Sequence, residues 1–134
     1  MSDKAEILFL NESFYSCFSL GNLAGMDDLW AKSVPVSCIH PGWESLTGRE
    51  TVINSWRKII GSSSTDIRCL DPRVFLYGDT GLVLCYEEVE GRYLIATNIF
   101  SRENGVWKMV HHQAGPTRGI PEGSLQDNDQ NSIN

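Results

Sequence analysis

The chain has 134 residues, of which 41% are hydrophobic and 21% are charged, and its formal net charge is −6 at pH 7. This length and composition are typical of one globular domain with enough apolar material for a core. The acidic balance disfavours binding to nucleic-acid phosphates, and no apolar run is long enough to span a membrane. The N-terminus lacks the features of a secretory signal, and the four cysteines form no C-x-x-C pair, so we expect a cytoplasmic protein with free thiols.

Two helices are predicted at the start of the chain. Asp3 and Glu6 form a D-x-x-E helix start signal, and apolar residues then follow a helical period as far as Gly21, which ends the first helix. Asn22 is a suitable N-cap for a short second helix.

A short edge strand is expected within Val34–Ile39, where a proline limits pairing. The segment His40–Trp43 is predicted to be a turn. Thr47 and Glu50 then form a T-x-x-E capping box, which predicts a third helix ending at Gly61.

The second half of the chain predicts a long antiparallel sheet. Its expected strands are Asp66–Tyr77, Gly81–Val89, Arg92–Arg102 and Val106–Gln113. Glu90–Gly91 and Asn104–Gly105 are predicted two-residue hairpin turns, because Asn-Gly favours the positive φ angles that such turns need. We expect a single domain over residues 1–116 and a flexible polar tail over 117–134.

The hairpin turns predict which residues share a face of the sheet. Glu87 is expected opposite Leu94, and Asn98 is expected between Val83 and His111. One face then contains Val83, Cys85, Glu87, Leu94, Ala96, Asn98, Phe100, Trp107, Met109, His111 and Gln113, and His112 falls on the other face. Both faces are largely apolar, although a bulge would exchange some residues between them. Since the helices can cover one face only, we expect a homodimer through the other, outer face.

Four polar residues interrupt the first face: Glu87, Asn98, His111 and Gln113. A buried carboxylate must find a partner or change its pKa. An apolar cavity with a few converging polar groups is typical of a small-molecule pocket. A satisfied internal network, such as a bond between His111 and Asn98, is the alternative.

Four segments carry a resemblance to a known family: Cys38–Trp43, 48–56 (GRETVINSW), Ala96–Phe100 and Trp107–Pro116. With the first helix they extend over roughly residues 5–116, and together they resemble the SnoaL-like group of the NTF2-like superfamily, which includes ketosteroid isomerase. The resemblance implies an α+β NTF2-like cone, with three N-terminal helices packed on a curved, mostly antiparallel β-sheet. It also implies a pocket on the concave face and dimers through the opposite face.

The resemblance implies a small-molecule-binding domain that supports acid–base chemistry of the isomerase, cyclase or hydrolase kind. In the isomerase branch an Asp removes a proton beside a Tyr. Tyr15 resembles that Tyr, but no residue matches the Asp, so the candidate acid–base residues are His111, Glu87 and His40. The candidate ligand-binding residues are Tyr15, Trp30, Trp43, Trp56, Asn98 and Gln113.

The expected ligand is a small hydrophobic or polycyclic molecule. Trp43 suits the rim of a pocket, whereas the helical spacing of Trp56 suits the core. Cys38 and His40 share a face of an extended strand, which leaves a nucleophilic pair or a buried structural thiol open. We expect no metal and no cofactor. The alternative function is a non-catalytic homodimerising interaction module with a structural or vestigial cavity.

Overall fold

The computed structural model describes residues 1–62 and 65–123 of the chain. Its elements are α1 (Asp3–Leu20), α2 (Leu23–Leu29), β1 (Ser37–Ile39), β2 (Leu46–Thr47), α3 (Arg49–Ser62), β3 (Ile67–Tyr77), β4 (Thr80–Val89), β5 (Arg92–Glu103) and β6 (Val106–Pro116). The strands form one sheet in the order β2-β1-β6-β5-β4-β3. Every neighbouring pair is antiparallel except β1 with β6. The expected α+β architecture is therefore confirmed.

Local capping groups set the ends of the first two helices. The side chain of Ser2, one residue before Asp3, accepts a hydrogen bond from the backbone N–H of Ala5 and is the N-cap of α1. Gly21 ends α1 with a φ of 68°, in the left-handed region that favours glycine. Asn22 caps α2 as predicted, because its side chain accepts from the N–H of Gly25.

The segment before α3 differs from the prediction. β1 is not an edge strand, since it lies between β6 and the two-residue strand β2, which the sequence did not predict. Thr47 pairs with Ser37 in the β1–β2 ladder, so the α3 helix begins later, at Arg49. The prediction that Thr47 caps this helix is therefore wrong.

The two predicted hairpin turns are confirmed. Glu90 and Gly91 have φ angles of 51° and 76°, and Asn104 and Gly105 have φ angles of 53° and 79°. Positive φ at both central residues matches the twist of the flanking strands. The β4–β5 register is the expected one along its whole length.

A β-bulge in β6 changes the predicted register between β5 and β6. Phe100 is opposite Met109 as predicted, but the next residue of β5, Ile99, is opposite His111. Val110 therefore has no partner in the ladder and is the extra residue of the bulge. Side chains after the bulge point to the face opposite the one expected for a regular strand.

The bulge exchanges the two adjacent histidines between the faces of the sheet. His112, not His111, is opposite Asn98. His112 is 2% exposed and lies on the inner face, whereas Gln113 is exposed on the outer face with His111. The expected pairing of His111 with Asn98, and the inner position of Gln113, are therefore wrong.

The helices cover the inner face of the sheet only. The residues that are less than 2% exposed there and on the facing helices include Ile7, Phe14, Tyr15, Trp56, Val83, Cys85, Ala96, Asn98, Phe100 and Met109. On the outer face Phe75, Leu84 and Ile95 remain 41%, 38% and 37% exposed. The sheet thus has one largely buried face and one apolar face that is partly open.

The chain continues across the outer face after β6. The Pro121 side chain is buried, Glu122 lies 3.1 Å from the guanidinium of Arg73, and Gly119 lies against the Tyr86 ring. Residues 124–134 of the expected tail lie outside the described residues. No helix in residues 1–62 or 65–123 has the length and apolar character needed to cross a membrane.

The Glu90–Gly91 turn generates a stability prediction. Glutamate is unfavourable at the left-handed φ of position 90, whereas asparagine tolerates it, so Glu90→Asn should raise the free energy of unfolding by about 1 kcal/mol. Urea denaturation measures the change. Glu90→Gln removes the same charge without improving the backbone preference and is the control. Equal effects of the two substitutions would contradict the prediction.

Candidate functional site

A cluster of buried polar side chains lies between the inner face of the sheet and α1. Glu87 from β4, Asn98 from β5 and His112 from β6 are each at most 3% exposed, as are Asn11 and Tyr15 from α1. Such groups need hydrogen-bond partners once water is excluded. The cluster therefore has to be satisfied internally.

Strand register and helix period bring these residues together. Asn98 has Val83 of β4 on one side and His112 of β6 on the other. Asn11 and Tyr15 are four residues apart, so they lie on the same face of α1, which contacts the sheet. The site thus combines side chains from three neighbouring strands with two from one helix.

The hydrogen bonds of the cluster form a continuous chain. The Tyr15 hydroxyl donates to Glu87 Oε2 at 2.7 Å. Asn98 Nδ2 donates to Tyr15 Oη at 3.1 Å and to Asn11 Oδ1 at 2.8 Å. Because these two bonds use the amide nitrogen of Asn98, its oxygen faces the ring of His112.

This orientation determines which nitrogen of His112 carries the proton. The distance from His112 Nδ1 to Asn98 Oδ1 is 2.6 Å, and a carboxamide oxygen can only accept. His112 Nδ1 is therefore the donor. The other ring nitrogen, Nε2, lies 3.9 Å from Glu87 Oε2 and, in the neutral ring, presents a lone pair.

Burial shifts the pKa values of the carboxyl and imidazole groups in the cluster. Removal from water raises the pKa of Glu87 to about 7, although the bond from Tyr15 opposes the change. Burial, followed by the neighbouring His40 and His111, lowers the pKa of His112 to about 3. Near neutral pH the carboxyl group is therefore close to its titration midpoint, while the imidazole is neutral.

His40 belongs to a second polar group beside the cluster. Its Nε2 lies 2.9 Å from Ser55 Oγ, and Ser55 itself donates to the carbonyl of Val52 at 2.6 Å. His40 Nε2–H is therefore the donor to Ser55. Burial lowers the pKa of His40 to about 4, so this imidazole is neutral as well.

The geometry does not favour a nucleophilic Cys38–His40 pair. The Cys38 sulfur is 3.6 Å from His40 Nε2, but burial raises the pKa of this thiol to about 12. A reactive cysteine needs thiolate character, which this environment suppresses. The structural interpretation of Cys38 as a buried thiol is the better one.

The structure separates the candidate residues proposed from sequence. It brings Tyr15, Glu87 and Asn98 into one cluster, with His40 nearby, because the His40 and His112 ring centroids are 6.3 Å apart. His111 lies outside the cluster, with its Nδ1 2.7 Å from Ser37 Oγ. Gln113 is exposed on the outer face.

The tryptophans occupy two kinds of position. Trp30 and Trp56 are fully buried, and within residues 1–62 and 65–123 the indole N–H of each has no hydrogen-bond partner. Trp43 is 43% exposed, and its ring centroid is 4.8 Å from that of His40. Trp56 is thus a core residue, as its helical spacing indicated, and Trp43 lies at the surface.

Sequence reasoning missed His112 and Asn11. The adjacent His111 and His112 indicated that one of the two rings faces inward. The sequence around Val110 does not indicate the bulge that makes His112 the inward one. Asn11 occupies the buried stripe of α1 four residues before Tyr15, where a polar residue signals an interior hydrogen bond. That spacing is the one signal that was available.

A cleft between α1 and β3 borders the cluster at Tyr15. It has a volume of about 360 Å³ and is lined by Glu12, Tyr15, Ser16, Ser19, Leu20, Ile67, Arg68 and Cys69. Tyr15 therefore belongs both to the cleft and to the hydrogen-bond chain that reaches Glu87. In the described part of the chain, no group of three or more His, Cys, Asp or Glu side chains is placed to hold a metal ion.

Sequence comparison identifies relatives over most of the chain. The profile of the SnoaL-like domain family matches residues 7–117. The F-box protein SKIP8 of Arabidopsis thaliana is 32% identical over 111 residues, which are 81% of this chain and 48% of SKIP8. The chain thus spans about half the length of this relative.

Two solved structures, each 28% identical in sequence, share the architecture. A Streptomyces avermitilis protein of the NTF2-like family, described as a candidate dehydratase, has a TM-score of 0.80 and is matched over 87% of this chain and 97% of its own. A Thiobacillus denitrificans protein, described as a candidate calcium/calmodulin-dependent protein kinase type II association domain, has a TM-score of 0.73 over 81% and 93%. The chain therefore belongs to the SnoaL-like domain family and has the NTF2-like fold.

Proposed function

We propose that the domain binds a small organic molecule in the cleft between α1 and β3, and that Glu87 transfers a proton to or from it. The observation that carries this proposal is the buried Glu87 carboxyl, whose pKa is raised to about 7. A general base or acid works best when its pKa is close to the ambient pH. A structural carboxylate in an ion pair has its pKa lowered instead.

Tyr15 connects the cleft to this carboxyl. When Glu87 is ionised, the phenol of Tyr15 donates to Glu87 Oε2. When the carboxyl takes a proton from the ligand, its new O–H can donate to Tyr15 Oη, and the phenol proton becomes available to a ligand oxygen. Tyr15 thereby stabilises negative charge on that oxygen, because burial raises the pKa of Tyr15 and keeps it a phenol.

His112 and Asn98 complete the proposed arrangement. The neutral His112 ring presents its Nε2 lone pair toward Glu87, so it adds no positive charge that would lower the pKa of the carboxyl. Asn98 holds this ring and the Tyr15 hydroxyl at once. The chemistry that fits is removal and return of a proton at a carbon next to a carbonyl group.

The Streptomyces avermitilis relative supports the same class of chemistry. A dehydratase removes a proton and a hydroxyl group, which requires a base and an acid in one site. The candidate dehydratase shares 28% sequence identity with this chain. We extend the class of acid–base reaction to this chain, and propose a carbonyl compound with an apolar part as the ligand, because the Phe14 ring packs against the His112 ring of the cluster.

Deuterium exchange tests the proton transfer without knowledge of the natural substrate. The wild-type protein should accelerate exchange at the carbon beside the carbonyl of 1-tetralone or cyclohexanone in D₂O, followed by NMR. Glu87→Gln should lower the accelerated rate by about 100-fold or more, because the base is lost while the shape is kept. Glu88→Gln, on the outer face of the same strand, is the matched control and should retain the rate. An unchanged rate in Glu87→Gln would overturn the proposal.

The same variant tests the protonation of Glu87 through stability. Between pH 4.5 and about 7 the folded protein retains a proton on Glu87 that the unfolded chain releases, so wild-type stability relative to Glu87→Gln falls as pH rises. The loss should reach about 3 kcal/mol above pH 7. His40 and His112 titrate with the opposite sign, but they are present in both proteins.

Urea denaturation of both proteins at pH 5 and pH 8 measures this difference. A difference in unfolding free energy that does not depend on pH would show that the Glu87 carboxyl titrates normally. Glu88→Gln serves again as the control, because Glu88 is only partly buried.

We also propose that two copies of the domain associate through the outer face of the sheet. The supporting observation is the row of partly exposed apolar side chains Phe75, Leu84 and Ile95. The Thiobacillus denitrificans relative, described as a candidate association domain, is consistent with assembly through this fold. A non-catalytic dimerising module remains the alternative if Glu87 transfers no proton.

Native mass spectrometry at micromolar concentration tests the association. The wild-type protein should be a dimer, and any ligand that co-purifies should be detected in the same spectrum. Leu84→Arg should give monomers, because it places a charge in the interface. Phe9→Arg, on an exposed position of α1, should leave the dimer intact. A monomeric wild-type protein would contradict the proposal.

We propose the cytoplasm as the location of the protein. All four cysteines are free thiols. Thiols persist in reducing compartments, whereas oxidising compartments favour disulfides.

A further inference from the structure

Two cysteines on neighbouring strands lie beside the acid–base cluster. Cys69 of β3 is opposite Glu87 of β4, and Cys85 is the next inner-face residue of β4, so the two cysteines are diagonal neighbours. Each thiol also affects the titration of the other. The ladder is interrupted between Leu70 and Arg73, so Cys85 has no directly opposite residue of its own.

Both sulfurs take part in the hydrogen-bond network of the site. Cys85 Sγ lies 3.4 Å from Tyr15 Oη and 3.9 Å from Asn98 Nδ2. Asn11 Nδ2 donates to Cys69 Sγ at 3.4 Å. A chemical change at either sulfur therefore reaches the residues that hold Glu87.

The two thiols differ in their access to solvent. Cys69 is partly exposed and lines the cleft between α1 and β3, whereas Cys85 is 1% exposed. A small oxidant that enters the cleft meets Cys69 first. Cys85 lies behind it, buried on the neighbouring strand.

We propose that Cys69 and Cys85 are a site of reversible oxidation, and that a hydroperoxide converts them into a disulfide. The Cys69 sulfur attacks the peroxide, the O–O bond breaks, and Cys69 becomes a sulfenic acid while the released oxygen takes up the thiol proton. The Cys85 sulfur then attacks the Cys69 sulfur, the S–O bond breaks, and the leaving hydroxide takes the Cys85 proton as water. With hydrogen peroxide, two thiols are oxidised, one peroxide is reduced and two waters form.

The environment assigns different roles to the two thiols. The neighbouring Cys85 thiol, followed by burial, raises the pKa of Cys69, so the first step is slow and the pair is not an efficient peroxidase. Cys85 is the attacking thiol in the second step, because it is buried and does not line the cleft through which the oxidant reaches Cys69. The pair responds to sustained oxidant and not to brief exposure.

Disulfide formation changes the acid–base cluster. The hydrogen bond between Asn11 Nδ2 and the Cys69 thiol is lost. The contact between Tyr15 Oη and the Cys85 thiol is lost as well. The Tyr15–Glu87 contact is thereby altered from two sides. Oxidation is expected to perturb the site without any reaction at Glu87.

Peptide mapping of the purified full chain tests the proposal. The protein is treated with hydrogen peroxide, its remaining thiols are blocked with N-ethylmaleimide, and it is digested with trypsin without reductant. Cys69 and Cys85 fall in separate tryptic peptides, residues 69–73 and 74–92, so a linkage appears as one joined peptide. The joined peptide should accumulate with time and disappear after treatment with dithiothreitol.

Single substitutions identify the thiols involved. Cys69→Ser and Cys85→Ala should each abolish the joined peptide, and Cys17→Ser, at a partly exposed thiol of α1, should leave it unchanged. Circular dichroism confirms that each variant is folded. Oxidation of Cys69 to the sulfinic acid without a joined peptide, or linkage of Cys69 to Cys17 or to a second chain, would overturn the proposal. The readout does not depend on proton transfer by Glu87, so the two proposals can fail separately.

Discussion

The burial of one carboxyl group constrains the interior of this domain. Glu87 is 3% exposed, and a carboxylate in such a place is costly unless it is neutralised or bonded. The interior meets this requirement with a phenol from α1, an amide from β5 and a neutral imidazole from β6. A fully apolar side chain at this position would pack at lower cost, which is why the proposed function is built on this carboxyl.

The hydrogen-bond chain also restricts what the protons of the site can do. Asn11 fixes the orientation of Asn98, and Asn98 fixes the tautomer of His112. The Tyr15 hydroxyl donates to Glu87 while the carboxyl is ionised, so the position of a single proton on Glu87 decides the direction of the Tyr15 hydroxyl. A site ordered in this way needs little rearrangement when a ligand arrives, which is the arrangement that electrostatic catalysis requires.

Local chemistry in the sequence is enough to place most elements of the fold, because the signals that mark them do not depend on distant contacts. Gly21 and Asn22 end one helix and begin the next through their own backbone preferences, and the Asn104–Gly105 turn sets where β5 and β6 start to pair. The β4–β5 register follows from a two-residue turn in the same way. These features therefore agree between the sequence and the structure.

The rest depends on tertiary contacts. The bulge at Val110 has no glycine that would indicate it in the sequence. It lies where β6 pairs with β5 on one side and comes close to β1 on the other. One unpaired residue exchanged His111 for His112, and with it the identity of the histidine in the site. Thr47 shows the same limit, because pairing with Ser37 outweighs its preference for a helix cap. A sequence can therefore predict which strand residues face a site only where the strand register is also predicted correctly.

The segment after β6 has a consequence for the shape of the molecule. Because Gly119 lies against the Tyr86 ring and Pro121 is buried, the last described residues form part of the outer surface of the sheet. The exposed area of the outer face of the sheet therefore depends on the path of the polypeptide after residue 116 as well as on the strands themselves. Two proteins with identical sheets and different C-terminal extensions would therefore present different outer surfaces while their interiors stayed the same.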